Sequence, residues 1–177
     1  FCSLFSGSSG NATYIEGGNT RLLLDAGMAG RQIEEALVSI GVAPDSLQAI
    51  LVTHEHSDHI KSVGVLARRY RLPVYANAAT WTEMDRQIGR LESWQRTVFS
   101  STDDFYIRDL GVQPIPVPHD AAEPVGYCFF CGGKKISVLT DLGHSDERLL
   151  RAAENSEVLL LESNHDVTML KEGVRTG

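Results

Sequence analysis

The sequence predicts an α/β domain with mixed sheets, on three observations. Short apolar runs of strand character alternate with amphipathic helical stretches in both halves of the 177 residues, the interleaving that builds layered α/β folds. Glycine and proline are scattered singly as turn punctuation, with no repeat, low-complexity tract or long linker, so one domain is expected. Apolar residues make up 42% and charged residues 22%, a balance that supports a buried core and excludes a disordered tail or a disulfide-stapled miniprotein.

The opening reads as antiparallel. Residues 1–5 and 12–16 have strand character and are separated by Ser6-Gly7-Ser8-Ser9-Gly10-Asn11, and Gly17-Gly18-Asn19 turns the chain into a strand at 20–25. Residues 31–40 carry Ile33, Ala36, Leu37 and Ile40 at helical spacing, closed by Gly41. A buried strand at 47–53 then leads into a histidine-rich loop. A helix at 60–70 follows, with Ile60, Val63, Leu66, Ala67 and Tyr70 on one face. Residues 72–76 predict a strand and 78–90 a helix with Trp81, Met84 and Ile88 inward. From Val98 the chain turns mostly to strands, with 125–130 and 135–140 joined across Gly132-Gly133. Ser145 can cap a helix over 146–155, 157–162 reads as a last strand, and 167–172 begins something helical.

No apolar run approaches the roughly 20 residues of a membrane span, and no charged-then-apolar leader opens the sequence. Three cysteines are too few and odd in number for a disulfide framework. A soluble, cytoplasmic protein is expected. Cys128 and Cys131 have the gap of a redox or zinc-knuckle pair, but on a strand they point to opposite faces, so core packing is expected of them. The net charge of −7 argues against broad nonspecific adhesion to nucleic acid. Residues 60–97 nevertheless hold seven basic against three acidic side chains, which reads either as a phosphate-binding strip or as solvated helix faces.

The strongest signal is Thr53-His54-Glu55-His56-Ser57-Asp58-His59, three imidazoles and a carboxylate directly after a buried strand. Imidazole nitrogen and carboxylate oxygen hold zinc or manganese while leaving positions open to water. A strand-end loop can point alternating residues at one centre, so His54 and His56 can share one ion while Asp58 and His59 face a second.

His54-x-His56-x-Asp58-His59 after an apolar strand resembles the metallo-β-lactamase superfamily signature. The resemblance implies a four-layer αββα sandwich of two mixed sheets. It also implies a dinuclear site in which Asp25 braces the metal loop, His119 completes the first site with His54 and His56, and Asp141 bridges the ions. Four segments make the chain most similar to the WalJ/YycJ-type branch, described as 5′→3′ exonucleases on double-stranded DNA. They are Ser3-Leu4-Phe5-Ser6-Gly7-Ser8-Ser9-Gly10-Asn11, Asp58-His59-Ile60-Lys61-Ser62-Val63-Gly64-Val65-Leu66, Pro118-His119-Asp120-Ala121 and Glu162-Ser163-Asn164-His165-Asp166. That branch places a last histidine in a His-Leu-Ser segment, and none follows His165. The expectation is a chain lacking its C-terminal portion; a second metal with one ligand fewer is the alternative.

The expected function is phosphodiester hydrolysis by a hydroxide held between two divalent ions, Zn or Mn, about 3.5–4 Å apart. Double-stranded DNA is the expected partner. Asp58 would ligate an ion and orient the nucleophile, and Asp25 would fix a histidine's tautomer from behind. His144 and His165 could carry a proton to the leaving oxygen, or serve as supporting or surface histidines. Ser8, Ser9, Asn11 and Lys61 are candidate substrate contacts; the glycine- and serine-rich segment reads equally as an anion nest or a tight turn. A hydrolase of the same fold acting on RNA, a thioester or a lactam, and a non-catalytic metal-binding module, are the rivals. The composition does not choose between them.

Overall fold

A computed structural model of the chain describes residues 1–143 and 146–162. Six strands form the first sheet, in the order β1 (Cys2–Phe5), β2 (Ala12–Gly17), β3 (Thr20–Leu24), β4 (Ala49–Leu51), β5 (Val74–Asn77) and β6 (Arg96–Phe99). The first three are antiparallel and β3 to β6 run parallel. The second sheet has the order β11 (Val158–Leu161), β10 (Lys134–Leu139), β9 (Val125–Cys131), β8 (Leu110–Pro116), β7 (Phe105–Ile107). It is antiparallel except for the parallel β10–β11 pair.

Alternation along the strands explains the layering. Leu23 and Ile50 face outward into a cluster with Ile33, Leu37, Leu66, Trp81 and Met84, carried by α1 (Gly30–Ser39), α3 (Val63–Tyr70) and α4 (Ala78–Ile88). Leu22, Leu24, Ala49 and Leu51 face inward against Val112, Tyr127, Phe129 and Val138 of the second sheet. Because both faces of β3 and β4 are covered, their sequences are continuous apolar runs. On the far side, α5 (Glu147–Ala153) packs Leu149 and Ala152 over Cys128 and Leu139. The result is the expected αββα order of layers. Cys128 is buried, Cys131 partly so, and all three cysteines are free.

Several expected elements change where the candidate site intervenes. The predicted strand 47–53 pairs only over Ala49–Leu51, since Leu47 closes a 3-10 turn at Pro44–Ser46 and Thr53 gives its amide to the Asp25 side chain. The predicted helix 60–70 is two helices, α2 (Ser57–Ile60) and α3, because Ser62 turns aside to bond the Ala26 carbonyl through its amide and the Met28 carbonyl through its hydroxyl. Asp58 and His59 therefore stand on a helical turn rather than on the loop. The predicted helix 78–90 stops at Ile88, where Gly89 takes φ +74°. The helix predicted over 146–155 is shorter and is capped by Asp146, which accepts from the amides of Arg148 and Leu149 at 2.9 and 3.1 Å. Ser145, the expected cap, and 167–172 lie outside the described residues. None of the described helices is long and apolar enough to cross a membrane.

Candidate metal centre

The centre forms where β3, β4 and β10 end. Asp25 leaves β3 with φ +58° and is 3% exposed. Its Oδ1 accepts from the Thr53 amide at 2.9 Å, and its Oδ2 accepts from the Thr53 hydroxyl and meets His59 Nδ1, each at 2.8 Å. The Thr53 hydroxyl has one hydrogen and gives it to Asp25. At 3.0 Å from His54 Nδ1 it therefore acts as acceptor, which puts the His54 proton on Nδ1 and leaves Nε2 as a bare donor atom. Burial, with the positive field of His59, His119 and His56, pushes the His54 pKa down to about 2, so the ring is neutral.

Three rings converge from two sheets. His54 Nε2 lies 3.1 Å from His56 Nδ1, and His119 Nε2 lies 3.3 Å from that same atom. One N–H at His56 Nδ1 cannot serve both neighbours, so these nitrogens form a natural cation seat. A second group, His54, His59 and Asp141, also brings its donor atoms within 4.8 Å of one another, as the three histidines do. Asp141 Oδ2 lies 3.3 Å from His59 Nε2, yet it is buried without a hydrogen bond. Burial raises the Asp141 pKa, with His59 opposing and Glu162 adding to the rise. Burial alone would lower the pKa of His59, but Asp25, then Asp141 and Asp58, reverse this and lift it to about 9. The bare Nε2 of a neutral His54 ring, beside an orphaned buried carboxylate oxygen, fits a divalent cation.

Asp58 stands at the rim, its Oδ2 3.6 Å from His59 Nε2 and its side chain 33% exposed. It belongs to neither converging group. His54 reaches both groups, and Asp58 borders the second. Asn11, a candidate substrate contact, braces the histidine-bearing loop. Its amide donates to the Asp58 carbonyl at 2.7 Å, and its Nδ2 lies 3.4 Å from Asp58 Oδ2 and 3.0 Å from His59 Nε2. Ala26 holds the His59 carbonyl in the same way. A Cβ on Gly27 would collide with the Asp58 carbonyl, so only glycine admits this approach.

The other candidates divide. Ser8, Ser9 and Lys61 are exposed. The Gly7 amide donates to Asn11 Oδ1 and the Gly10 amide to the Gly7 carbonyl, so two amides of the expected anion nest are already used. His144 and His165 lie outside the described residues. The basic stretch is largely occupied: Arg68 holds the Ile88 and Arg90 carbonyls, Arg69 pairs with Glu34, and Arg96 pairs with Asp85 over Trp81. Arg71 sits over Trp94. Sequence reasoning missed Thr53 and Glu55, whose partners are 28 and 67 positions away.

The chain is 42% identical over 173 residues to exodeoxyribonuclease YycJ of Bacillus anthracis, covering 98% of the chain and 66% of that protein. It is 42% identical over 172 residues to exodeoxyribonuclease WalJ of Streptococcus pneumoniae D39, covering 96% and 64%. It therefore spans just under two thirds of the length of these relatives. The crystal structure of Zn(2+)-bound PqqB from Methylobacterium extorquens shares the fold, with a TM-score of 0.71 at 19% identity over 93% of this chain and 64% of that one. Residues 6–169 match the family model of the Metallo-beta-lactamase superfamily, and the chain belongs to that superfamily.

Proposed function

We propose that the chain is the metal-binding part of a nuclease that hydrolyses phosphodiester bonds, a 5′→3′ exonuclease acting on double-stranded DNA in the cytoplasm. The observation that carries this reading is the 42% identity, over nearly the whole chain, to two proteins named exodeoxyribonucleases. Two divalent cations, zinc or manganese, would be held by His54, His56 and His119 on one side and by Asp58, His59 and Asp141 on the other, Asp141 being shared. When bound, such ions lower the pKa of water and offset the charge that grows on phosphate oxygens.

The chain's own residues then do the following. Asp25 and Thr53 lock the rings of His59 and His54 so that the ligand nitrogens point inward without rearrangement. Asp58 is more exposed than Asp25 or Asp141, so it is the carboxylate placed to orient an incoming water and accept its proton. Asn11 keeps Asp58 aimed. Lys61, with Ser8 and Ser9, offers a cation and hydroxyls to the DNA backbone.

The test is hydrolysis of 5′-phosphorylated duplex DNA beside single-stranded DNA, RNA and a lactam. The protein is used at full gene length with zinc or manganese, and wild type is compared with Asp58→Ala. Duplex digestion lost in the variant is expected, with about two ions per chain by elemental analysis. Cleavage confined to RNA or lactam overturns the substrate, and equal activity in the variant overturns the role of Asp58.

A further inference from the structure

His119 is the one histidine of the converging groups that the second sheet supplies, and it sits on a segment with little structure of its own. The β8–β9 ladder ends at the Pro116–Val125 pair. Val117 still donates to the Pro124 carbonyl, and Gly143 to that of Pro118. Beyond these, residues 119–123 make no backbone–backbone hydrogen bond among the described residues. Two side chains from the first sheet's side reach across instead. Glu55 Oε1 accepts from the Ala122 amide at 2.8 Å, and Asn77 Nδ2 donates to the Glu123 carbonyl at 2.7 Å.

Glu55 lies between His54 and His56. The tripeptide that presents two of the three convergent rings therefore also grips the loop that presents the third. A carboxylate accepting a backbone N–H makes a charge-assisted bond, stronger than its neutral counterpart. An irregular loop with few backbone bonds has little else to fix where its backbone runs, although the His119 ring also meets Asp120, Nδ1 to Oδ1 at 3.1 Å.

We propose that Glu55 is a positioning residue. By holding the Ala122 amide it sets the placement of His119 against His54 and His56, and so tunes cation affinity at the three-histidine group without touching a cation. This rests on reading that group as a metal seat. Glutamine keeps an acceptor oxygen at the same reach, while alanine removes it.

The experiment titrates zinc, and cobalt(II) for its visible spectrum, into chelator-stripped protein of full gene length. It compares wild type, Glu55→Ala, Glu55→Gln, His119→Ala and the Glu55→Ala/His119→Ala double variant. Hydrogen exchange at the Ala122 amide is followed in the metal-free proteins. Glu55→Ala should bind zinc about 10- to 100-fold more weakly, with an altered cobalt spectrum and faster Ala122 exchange, and Glu55→Gln should restore most of each. In the His119→Ala background the alanine change should add nothing, because its effect runs through His119.

Wild-type affinity in Glu55→Ala, a glutamine variant as weak as the alanine one, or a full additional loss in the double variant would each overturn the proposal. Unaltered Ala122 exchange would overturn it independently of any metal. A wild type that binds no cation would overturn the metal reading itself, an outcome that the exchange measurement keeps separate.

Discussion

The two halves of the candidate centre are held in different ways. On the first sheet's side, the turn bearing His54, Asp58 and His59 is closed by bonds that interlock. Asp25 holds Thr53 and His59, Asn11 and Ala26 hold the carbonyls of Asp58 and His59, and Gly27 packs against the same backbone. On the second sheet's side, His119 rides an irregular loop. Asp141 follows β10 with φ +56°, and its amide rests on the Glu162 carboxylate at 3.3 Å. One half interlocks at the ends of β3 and β4; in the other, the His119 loop is gripped by Glu55 and Asn77 from across the sheets while Asp141 rests on Glu162 beside it. Substitutions in the first half should therefore collapse both donor groups, whereas those in the second should tune one.

The largest expected effect is at His54, the ring common to both groups. In His54→Ala, elemental analysis should find the metal content of the protein collapsed, and the proposed nuclease activity should fall by more than the about hundredfold that a supporting residue costs. A variant that kept one tightly bound ion would show that the second seat holds without this ring. Next comes Asp25→Ala, which strips a buried partner from His59 and Thr53. Urea unfolding of the metal-free protein should show a loss of about 3–5 kcal/mol, the cost of breaking one side of a buried pair. A loss near zero would mean that the Asp25 contacts contribute nothing to holding this half.

What the sequence made legible follows the same division. His54, His56, Asp58 and His59 stood out because metal chemistry restricts which side chains will serve, and Asp25, His119 and Asp141 through the resemblance; the structure brings His54, His56 and His119 together, and His54, His59 and Asp141. The α/β class was readable because β3 and β4 are apolar on both faces and the helices carry a clear stripe. The break between α2 and α3 was not, since Ser62 leaves the helix to reach Ala26 and Met28, residues more than 30 positions earlier. The bracing contacts of Asn11 and Glu55 hid for the same reason: each exists only once the sheets bring its partner, 47 or 67 positions away, into reach. The basic stretch stayed open between a phosphate-binding strip and solvated helix faces, because its charges were legible and their partners were not. Its arginines are spent on carbonyls, carboxylates and rings, leaving Lys61, Arg86 and Arg90 without a side-chain partner among the described residues.

Gly27→Ala sharpens the comparison at the backbone level. The added methyl would meet the Asp58 carbonyl and the Asn11 amide, both backbone atoms that cannot swing away. The histidine-bearing turn must shift as a unit. A loss of about 3 kcal/mol is expected, at the upper end for overpacking, together with weaker zinc binding in a calorimetric titration. Unchanged binding would show that the turn tolerates displacement and is less fixed than its bonds suggest.

The smallest effect is expected where the second sheet braces the first away from the donors. Tyr127 of β9 is fully buried and donates its hydroxyl to the Val52 carbonyl at 2.6 Å, one residue before Thr53. Burial and the Asp25 charge hold the phenol well above the ordinary tyrosine range, so it remains a donor. Tyr127→Phe keeps the ring in its place beside Phe99 and Phe129 and removes only that bond. The expected cost is about 1 kcal/mol in urea unfolding, with zinc affinity unchanged, because Asp25 and Asn11 hold the turn independently of Val52. If zinc binding weakened along with stability, the first half would depend on the second sheet after all, and the contrast between a self-contained half and an aimed half would fail at its most conservative test.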